Sequence, residues 1–317
     1  MKRCVILALN GCPLTSVTGP MEILLLARRL AEDSQWQVEV VAENGRQVQS
    51  SGGLQIVAHR DIQDVDSADL LIVGAIDGPY LHQTRVAAAT LAWVRQLHQQ
   101  GCRMVSVCTG AYVLAAAGVL DGRQATSHWS VIDWLAQQFP DCLWQKDAMI
   151  TEDGQVACSG GASAYQDMSL LLVRQLFGEA ISRQVAKSVL IDPGRHSQQQ
   201  YGGFVPQRQH QDDVIQQVQN WLDQHVCDHF ALADLARLAN LSERQFKRRF
   251  KQATQQTPLA YIQLLRVEKA KQALESSRQQ IDVISRNCGY EDVRFFRQLF
   301  KRHTGLAPSE YRSKFGS

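Results

Sequence analysis

The cysteine in Ser106-Val-Cys108-Thr-Gly110-Ala ends an apolar run and opens a helical pattern, a setting in which a side chain can act as a nucleophile. Small residues around a reactive group suit a tight strand-to-helix elbow, and the amides of the new helix favour a thiolate. A buried structural cysteine is the plain alternative. Val73-Gly74-Ala75 closes another apolar run, and its amides are expected to face the same point. Glu22 follows Gly19-Pro-Met near a helix start and is expected at the strand-end crevice, the other reading being a surface or capping carboxylate. Thr126-Ser-His128-Trp129 follows the elbow, with His128 and Trp129 readable as pocket or as core, and Cys158-Ser-Gly-Gly-Ala-Ser163 ends a later run ahead of Asp167. The candidate pocket set is therefore Glu22, Gly74, Ala75, Cys108, Thr109, His128 and Trp129. The eight cysteines lack CxxC or zinc-finger spacing, so free thiols in a reducing cytosol are expected, with no metal and no cofactor.

A second chemistry is written in the last third. Phe246-Lys-Arg-Arg-Phe250-Lys-Gln-Ala-Thr254-Gln-Gln-Thr-Pro258-Leu-Ala-Tyr261 returns fifty positions later as Phe296-Arg-Gln-Leu-Phe300-Lys-Arg-His-Thr304-Gly-Leu-Ala-Pro308-Ser-Glu-Tyr311. Two copies of one short unit indicate duplicated helix-turn-helix modules. In the first, Ser242 is the expected cap, Phe246 and Phe250 share one face, and Arg244, Lys247, Arg248 and Lys251 point elsewhere. In the second, Asp292 caps, Phe296 and Phe300 turn inward, and Arg294, Arg297, Gln298 and Lys301 turn outward. Arg and Gln pair with guanine and adenine edges, whereas Lys suits phosphate. From His229 onward, 17 Lys plus Arg face 8 Asp plus Glu, a balance of +9; the preceding part has 16 against 23, or −7. The basic part is the nucleic-acid part, and double-stranded DNA is the expected partner.

The elements must then place these groups. Thr257-Pro258 predicts an N-cap and first helical proline, opening a helix to about Ser276 that spans about 29 Å at roughly 1.5 Å per residue. Successive major grooves on one DNA face lie roughly 34 Å apart, so one such helix can hold two readers in neighbouring grooves. Earlier, the apolar runs Val5–Leu9, Val38–Ala42, Leu70–Val73 and Met104–Val107 alternate with helical patterns at 19–32, 85–100 and 110–117. That alternation predicts an α/β fold with a parallel sheet, which binds ligands at its strand ends. A polar stretch at 192–211, rich in Gly, Gln and Pro, reads as a linker, so the expected division is 1–191, 192–211 and 212–317. After it, Val214, Ile215, Val218, Trp221 and Leu222 resume a helical stripe. No apolar run approaches a membrane span and Met1-Lys-Arg does not open a signal peptide, so a cytoplasmic protein without membrane contact is expected.

Residues from about 229 to 314 resemble the DNA-binding domain of AraC-type transcriptional regulators, most fully in Ile281 to Ser285, Gly289-Tyr290, Phe296, Phe300, Gly305, Pro308 and Tyr311-Arg312. By position, the resemblance implies that Arg244, Lys247 and Arg248 of one module, and Val293, Arg294, Arg297 and Gln298 of the other, face the groove. The first module departs from it in Asn240 and Gln255, where the second has Gly289 and Gly305, and Val293 offers only apolar contact. Residues 3 to about 190 resemble the glutamine-amidotransferase-like fold of the PfpI superfamily, in the version fused to AraC-type domains. This implies a flavodoxin-like parallel-sheet sandwich ahead of an all-α domain with two helix-turn-helix modules. Hydrolytic members of that superfamily carry a histidine directly after the elbow cysteine, where this chain has Thr109, and His128 is the only nearby substitute. A thiol without a positioned base is a poor acyl-transfer nucleophile. The resemblance thus implies a non-enzymatic, metabolite-responsive regulator, an activator that pairs as a homodimer and engages RNA polymerase, with an amino acid or small amine as effector. Two alternatives stay open: a cysteine amidase or protease that docks on DNA, and a thiol redox sensor in which Glu22 bonds to an oxidised Cys108.

Overall fold

The computed structural model describes residues 1–43, 45–76, 81, 85–208 and 210–316, in two compact units, Met1–Gln198 and Gln199–Ser317.

The strands of the first unit are β1 (Lys2–Ala8), β2 (Trp36–Ala42), β3 (Gln47–Gln49), β4 (Gln55–Val57), β5 (Arg60–Asp61), β6 (Leu70–Val73), β7 (Arg103–Ser106), β8 (Gln124–Ala125), β9 (Leu143–Trp144), β10 (Ile150–Asp153) and β11 (Val156–Ser159). Its helices are α1 (Thr15–Leu30), α2 (Ala88–Gln99), α3 (Ala111–Ala116), α4 (Ile132–Gln138), α5 (Tyr165–Phe177) and α6 (Glu179–Ser188). The main sheet runs β10-β11-β7-β6-β1-β2-β5, parallel except for the β10–β11 hairpin, while β3–β4 and β8–β9 form two small ribbons. Strand side chains alternate between faces, and both faces are buried. Ile6, Val40, Ile72 and Val105 pack with Val17 and Leu24 of α1 and Leu172 of α5. On the other face, Leu7, Val41, Leu71 and Met104 pack with Val94 and Leu97 of α2 and Val113 and Leu114 of α3.

The four expected strands form within three residues of their predicted spans, but α1 begins at Thr15, four residues before the predicted start at 19. Gly19-Pro20 suggested a boundary, yet Pro20 lies inside the helix and is buried. Gly19 is there because α5 leaves no room: a Cβ on it would lie 2.2 Å from the ring of Tyr165.

The second unit contains α7 (Asp213–His225), α8 (Leu232–Leu238), α9 (Glu243–Thr254), α10 (Pro258–Ser276), α11 (Ile281–Asn287), α12 (Val293–Thr304) and α13 (Pro308–Phe315). α10 has the predicted 19 residues, and the Thr257 hydroxyl accepts from the amide of Ala260 at its start. It serves two cores, giving Tyr261 and Ile262 to the one that holds Phe246 and Phe250, and Val267, Ala270 and Leu274 to the one that holds Phe296 and Phe300. The duplication extends to geometry: the Phe250–Tyr261 rings meet edge-on at 5.1 Å and the Phe300–Tyr311 rings at 5.3 Å. Asn240 and Gln255 take φ of 52° and 61°, the left-handed conformation that Gly289 and Gly305 take at 82° and 75°. Among the described residues, no helix is long and apolar enough to cross a membrane.

The stretch 192–211, expected as a linker, is exposed at Asp192–Gly194, Val205 and Gln207 but carries specific packed contacts as well. Within the first unit, Arg195 pairs with Asp167, and the buried Gln198 points its Nε2 at the carbonyls of Ser127 (2.8 Å) and Lys146 (2.9 Å). Within the second, Phe204 meets Tyr261 edge-on, and Arg208 pairs with Asp223. Glutamine-rich composition suggested solvent exposure, but an amide that finds carbonyls to bond is stable in the interior.

Candidate functional site

The elbow is strained. Cys108 has φ of +55°, a left-handed conformation that costs about 1 to 3 kcal/mol for a non-glycine residue unless its surroundings hold it. Three contacts do so. Gly110 packs so closely that a Cβ on it would lie 2.5 Å from the Val73 carbonyl and 2.7 Å from that of Gly74. Thr109 Oγ1 accepts from the amide of Ile76 (2.8 Å) and donates to the Ile76 carbonyl. The Ser127 hydroxyl donates to the carbonyl of Cys108 at 2.9 Å.

These contacts decide which expected residues meet. Cys108, Thr109, Ala75 and the segment beginning at Ser127 come together at the strand ends. The amides of Gly74 and Ala75 do not supply donors there, because Gly74 N–H bonds to Leu7 and Ala75 N–H donates to the buried Ser16 hydroxyl at 3.0 Å. Glu22 stands apart: it is exposed and lines a groove with Gly19, Tyr165, Gln166 and Ile191. Ser16, in the first turn of α1, is the residue that reaches the strand ends, and only a helix starting at Thr15 would have revealed it. His128 is half-buried with Nδ1 in contact with the Ser130 hydroxyl (2.8 Å) and amide (3.1 Å), its ring beside Trp129 with centroids 5.2 Å apart. The Trp129 amide donates to Gln198 Oε1 at 3.2 Å.

Burial pushes the Cys108 thiol up to about 11, outweighing the lowering effect of its contacts with Thr109. Burial also lowers the pKa of His128, which favours the neutral ring. Among the described residues, no hydrogen bond joins His128 to Cys108. Among the described residues, the elbow thus holds a buried thiol that burial keeps protonated at neutral pH, with no hydrogen bond to His128.

In the second unit, α9 exposes Arg244, Lys247, Arg248 and Lys251, with Lys247 paired to Glu243 at 3.1 Å. α12 exposes Arg294, Arg297, Gln298 and Lys301, and leaves Val293 half-buried. Arg297 is held to Asp282 of α11 at 3.0 Å. Sequence reasoning missed Phe295, which is 43% exposed beside Arg294. Its signal was the Phe295-Phe296 pair, of which one helix face can bury only one. An exposed ring there can meet a thymine methyl. Both cationic helices are anchored on α10, whose length of about 29 Å approaches the groove spacing.

A double helix-turn-helix reader joined to an α/β unit with a cysteine elbow defines a DNA-binding transcriptional regulator. Residues 235–314 match a helix-turn-helix domain and residues 2–175 match the DJ-1/PfpI family. The chain belongs to the DJ-1/PfpI family, in the form that carries an AraC-type DNA-binding domain. It is 28% identical to the HTH-type transcriptional regulator CdhR of Pseudomonas aeruginosa, over 97% of this chain and 90% of that protein. It is 34% identical to the isonitrile hydratase of Pseudomonas putida, over 51% of this chain and 66% of that enzyme. The crystal structure of a putative transcriptional regulator from Vibrio parahaemolyticus aligns with a TM-score of 0.55 at 28% identity, covering 59% of this chain and 98% of that one.

Proposed function

We propose that this chain is a sequence-specific transcriptional activator whose first unit receives a small metabolite at the Cys108 elbow and performs no turnover. The observation that carries this reading is the elbow itself: a buried, protonated Cys108 with the Thr109 hydroxyl committed to Ile76. A hydrolase needs at that position a group that takes and returns a proton, and threonine does neither near neutral pH. Arg244, Lys247, Arg248, Lys251, Val293, Arg294, Arg297, Gln298 and Lys301 contact DNA, the arginines and Gln298 at base edges and the lysines at phosphates. Gly74, Ala75, Cys108, Thr109, His128 and Trp129 frame the proposed effector site, and an amino acid or small amine is the proposed class of effector. Glu22 has no part in it.

A homodimer on paired sites gains affinity through effective concentration, and an activator so placed presents a surface to RNA polymerase. The test is a thermal-shift screen of the protein against amino acids and amines, followed by DNA titration with each hit. A true effector raises the melting temperature and changes DNA affinity, since binding to the folded state stabilises by mass action. The enzymatic reading is favoured by the likeness to isonitrile hydratase over half the chain. It requires turnover of isonitriles or amides that is lost in Cys108→Ala, and such turnover overturns the receptor reading.

A further inference from the structure

Cys227 and Cys288 lie outside both sites described so far. Cys227 sits in the connection between α7 and α8, and Cys288 sits at the turn between α11 and α12. Sixty-one positions apart in sequence, they are neighbours in space: a Cβ on Gly289, the residue after Cys288, would lie 2.9 Å from the Cys227 carbonyl, and each thiol alters the protonation of the other. Arg266, projecting from the middle of α10, ties the two segments together. It donates to the carbonyls of Val226 (2.7 Å), Asp228 (3.0 Å) and Gly289 (2.9 Å). Of the eight free cysteines, Cys227 is the one that is not buried.

We infer that Cys227 and Cys288 are a peroxide-oxidisable dithiol whose disulfide joins the two helix-turn-helix modules and weakens DNA binding. The Cys288 side chain, with Arg266 and Lys269 nearby, lowers the pKa of the Cys227 thiol against the opposing effect of burial, which raises its thiolate share and its reactivity. The interaction with Cys227, together with burial, pushes the Cys288 thiol up.

In the first step, the Cys227 thiolate attacks a hydroperoxide oxygen. The S–O bond forms, the O–O bond breaks, and the departing alkoxide or hydroxide takes a proton to leave as alcohol or water. In the second, the Cys288 sulfur attacks the sulfenic sulfur. The S–S bond forms, the S–O bond breaks, and hydroxide leaves with the Cys288 proton as water. The two thiols lose two electrons and the peroxide gains them.

Bonded sulfurs lie about 2.05 Å apart, closer than any non-bonded contact, so the α11–α12 turn is drawn toward the α7–α8 connection. The approach at Gly289 is already tight, so the turn moves by tilting, and α12, which begins four residues after Gly289, tilts with it.

The experiment treats the reduced full-length protein with hydrogen peroxide at pH 7, maps disulfides by mass spectrometry, and measures affinity by fluorescence anisotropy for a duplex selected from a random pool. The expected result is a Cys227–Cys288 cross-link formed ahead of modification at the other six cysteines. DNA affinity falls several-fold alongside it, returns with dithiothreitol, and no longer responds to peroxide in Cys227→Ser or Cys288→Ala. Oxidation at Cys108 first, a cross-link that leaves affinity unchanged, or a peroxide response that persists in Cys227→Ser overturns the inference. Effector screening is untouched by any of these outcomes, so the receptor reading stands or falls separately.

Discussion

Arg297 is predicted to read a base, and its ion pair with Asp282 makes the prediction quantitative. Both side chains are about half exposed at 3.0 Å, so the pair is worth at most about 1 kcal/mol in water. A bidentate contact from arginine to guanine contributes about 1 to 3 kcal/mol of discrimination, so DNA outcompetes Asp282. Arg297→Ala should lower affinity about 5- to 150-fold for duplexes with the preferred base and little for duplexes already altered there. Asp282→Asn should do the opposite, releasing Arg297 and removing a negative charge near the duplex, with a gain of up to about fivefold. In an Arg297→Ala background, the Asp282→Asn gain should shrink to the residual effect of long-range charge. Anisotropy titrations at fixed salt, against a library varied one base pair at a time, measure all three. A uniform loss across the library for Arg297→Ala would mark a phosphate contact instead, and a loss of affinity in Asp282→Asn would show that the pair positions Arg297 and does not restrain it.

Lys251→Ala should weaken binding to all duplexes alike and reduce the slope of log affinity against log salt by about 1, as read from titrations over a salt series. Native Cys108 should react with iodoacetamide at pH 8 about two orders of magnitude more slowly than an unhindered thiol, because a thiol pushed up to about 11 is almost wholly protonated there; peptide mass mapping before and after denaturation checks it. Gln198→Ala should shift effector-free DNA affinity toward the effector-bound value and so bring the ratio of affinities with and without an effector toward one, as measured by paired titrations with a hit from the thermal-shift screen.

Much of the second unit was legible because its signals are local. Ser242 and Thr257 cap where their side chains predict, and Pro258 stands at the first helical position of α10. The fifty-residue echo fixed which aromatics face inward, and Phe246, Phe250, Phe296 and Phe300 are fully buried. The sheet was legible for the same reason, since runs such as Leu70–Val73 are buried on both faces. The elbow was legible only in part. Cys108 and Thr109 announce themselves by flanking glycine and small residues, but their partners Ser16, Ile76 and Ser127 depend on where α1 starts and how loops return, which periodicity does not encode. A four-residue shift in the start of α1 sufficed to put Ser16 at the strand ends and leave Glu22 on an outer groove. Gln198 was hidden by composition, because burial of a glutamine is decided by carbonyls far away in sequence.

The position of Gln198 bears on how an effector can reach the DNA-binding unit. An effector changes DNA binding only if it binds one arrangement better than another. Gln198 is the last residue of the first unit, and its side chain bonds to the Ser127 carbonyl and the Trp129 amide, on the segment whose Ser127 hydroxyl holds the Cys108 carbonyl. Gln199, the first residue of the second unit, donates through its side chain to the Arg302 carbonyl of α12 at 2.7 Å. Under the proposed function, an occupant of the elbow that displaces Ser127–Trp129 acts first on Gln198, the residue that precedes Gln199 in the chain, so the coupling is expected to run through this stretch of backbone.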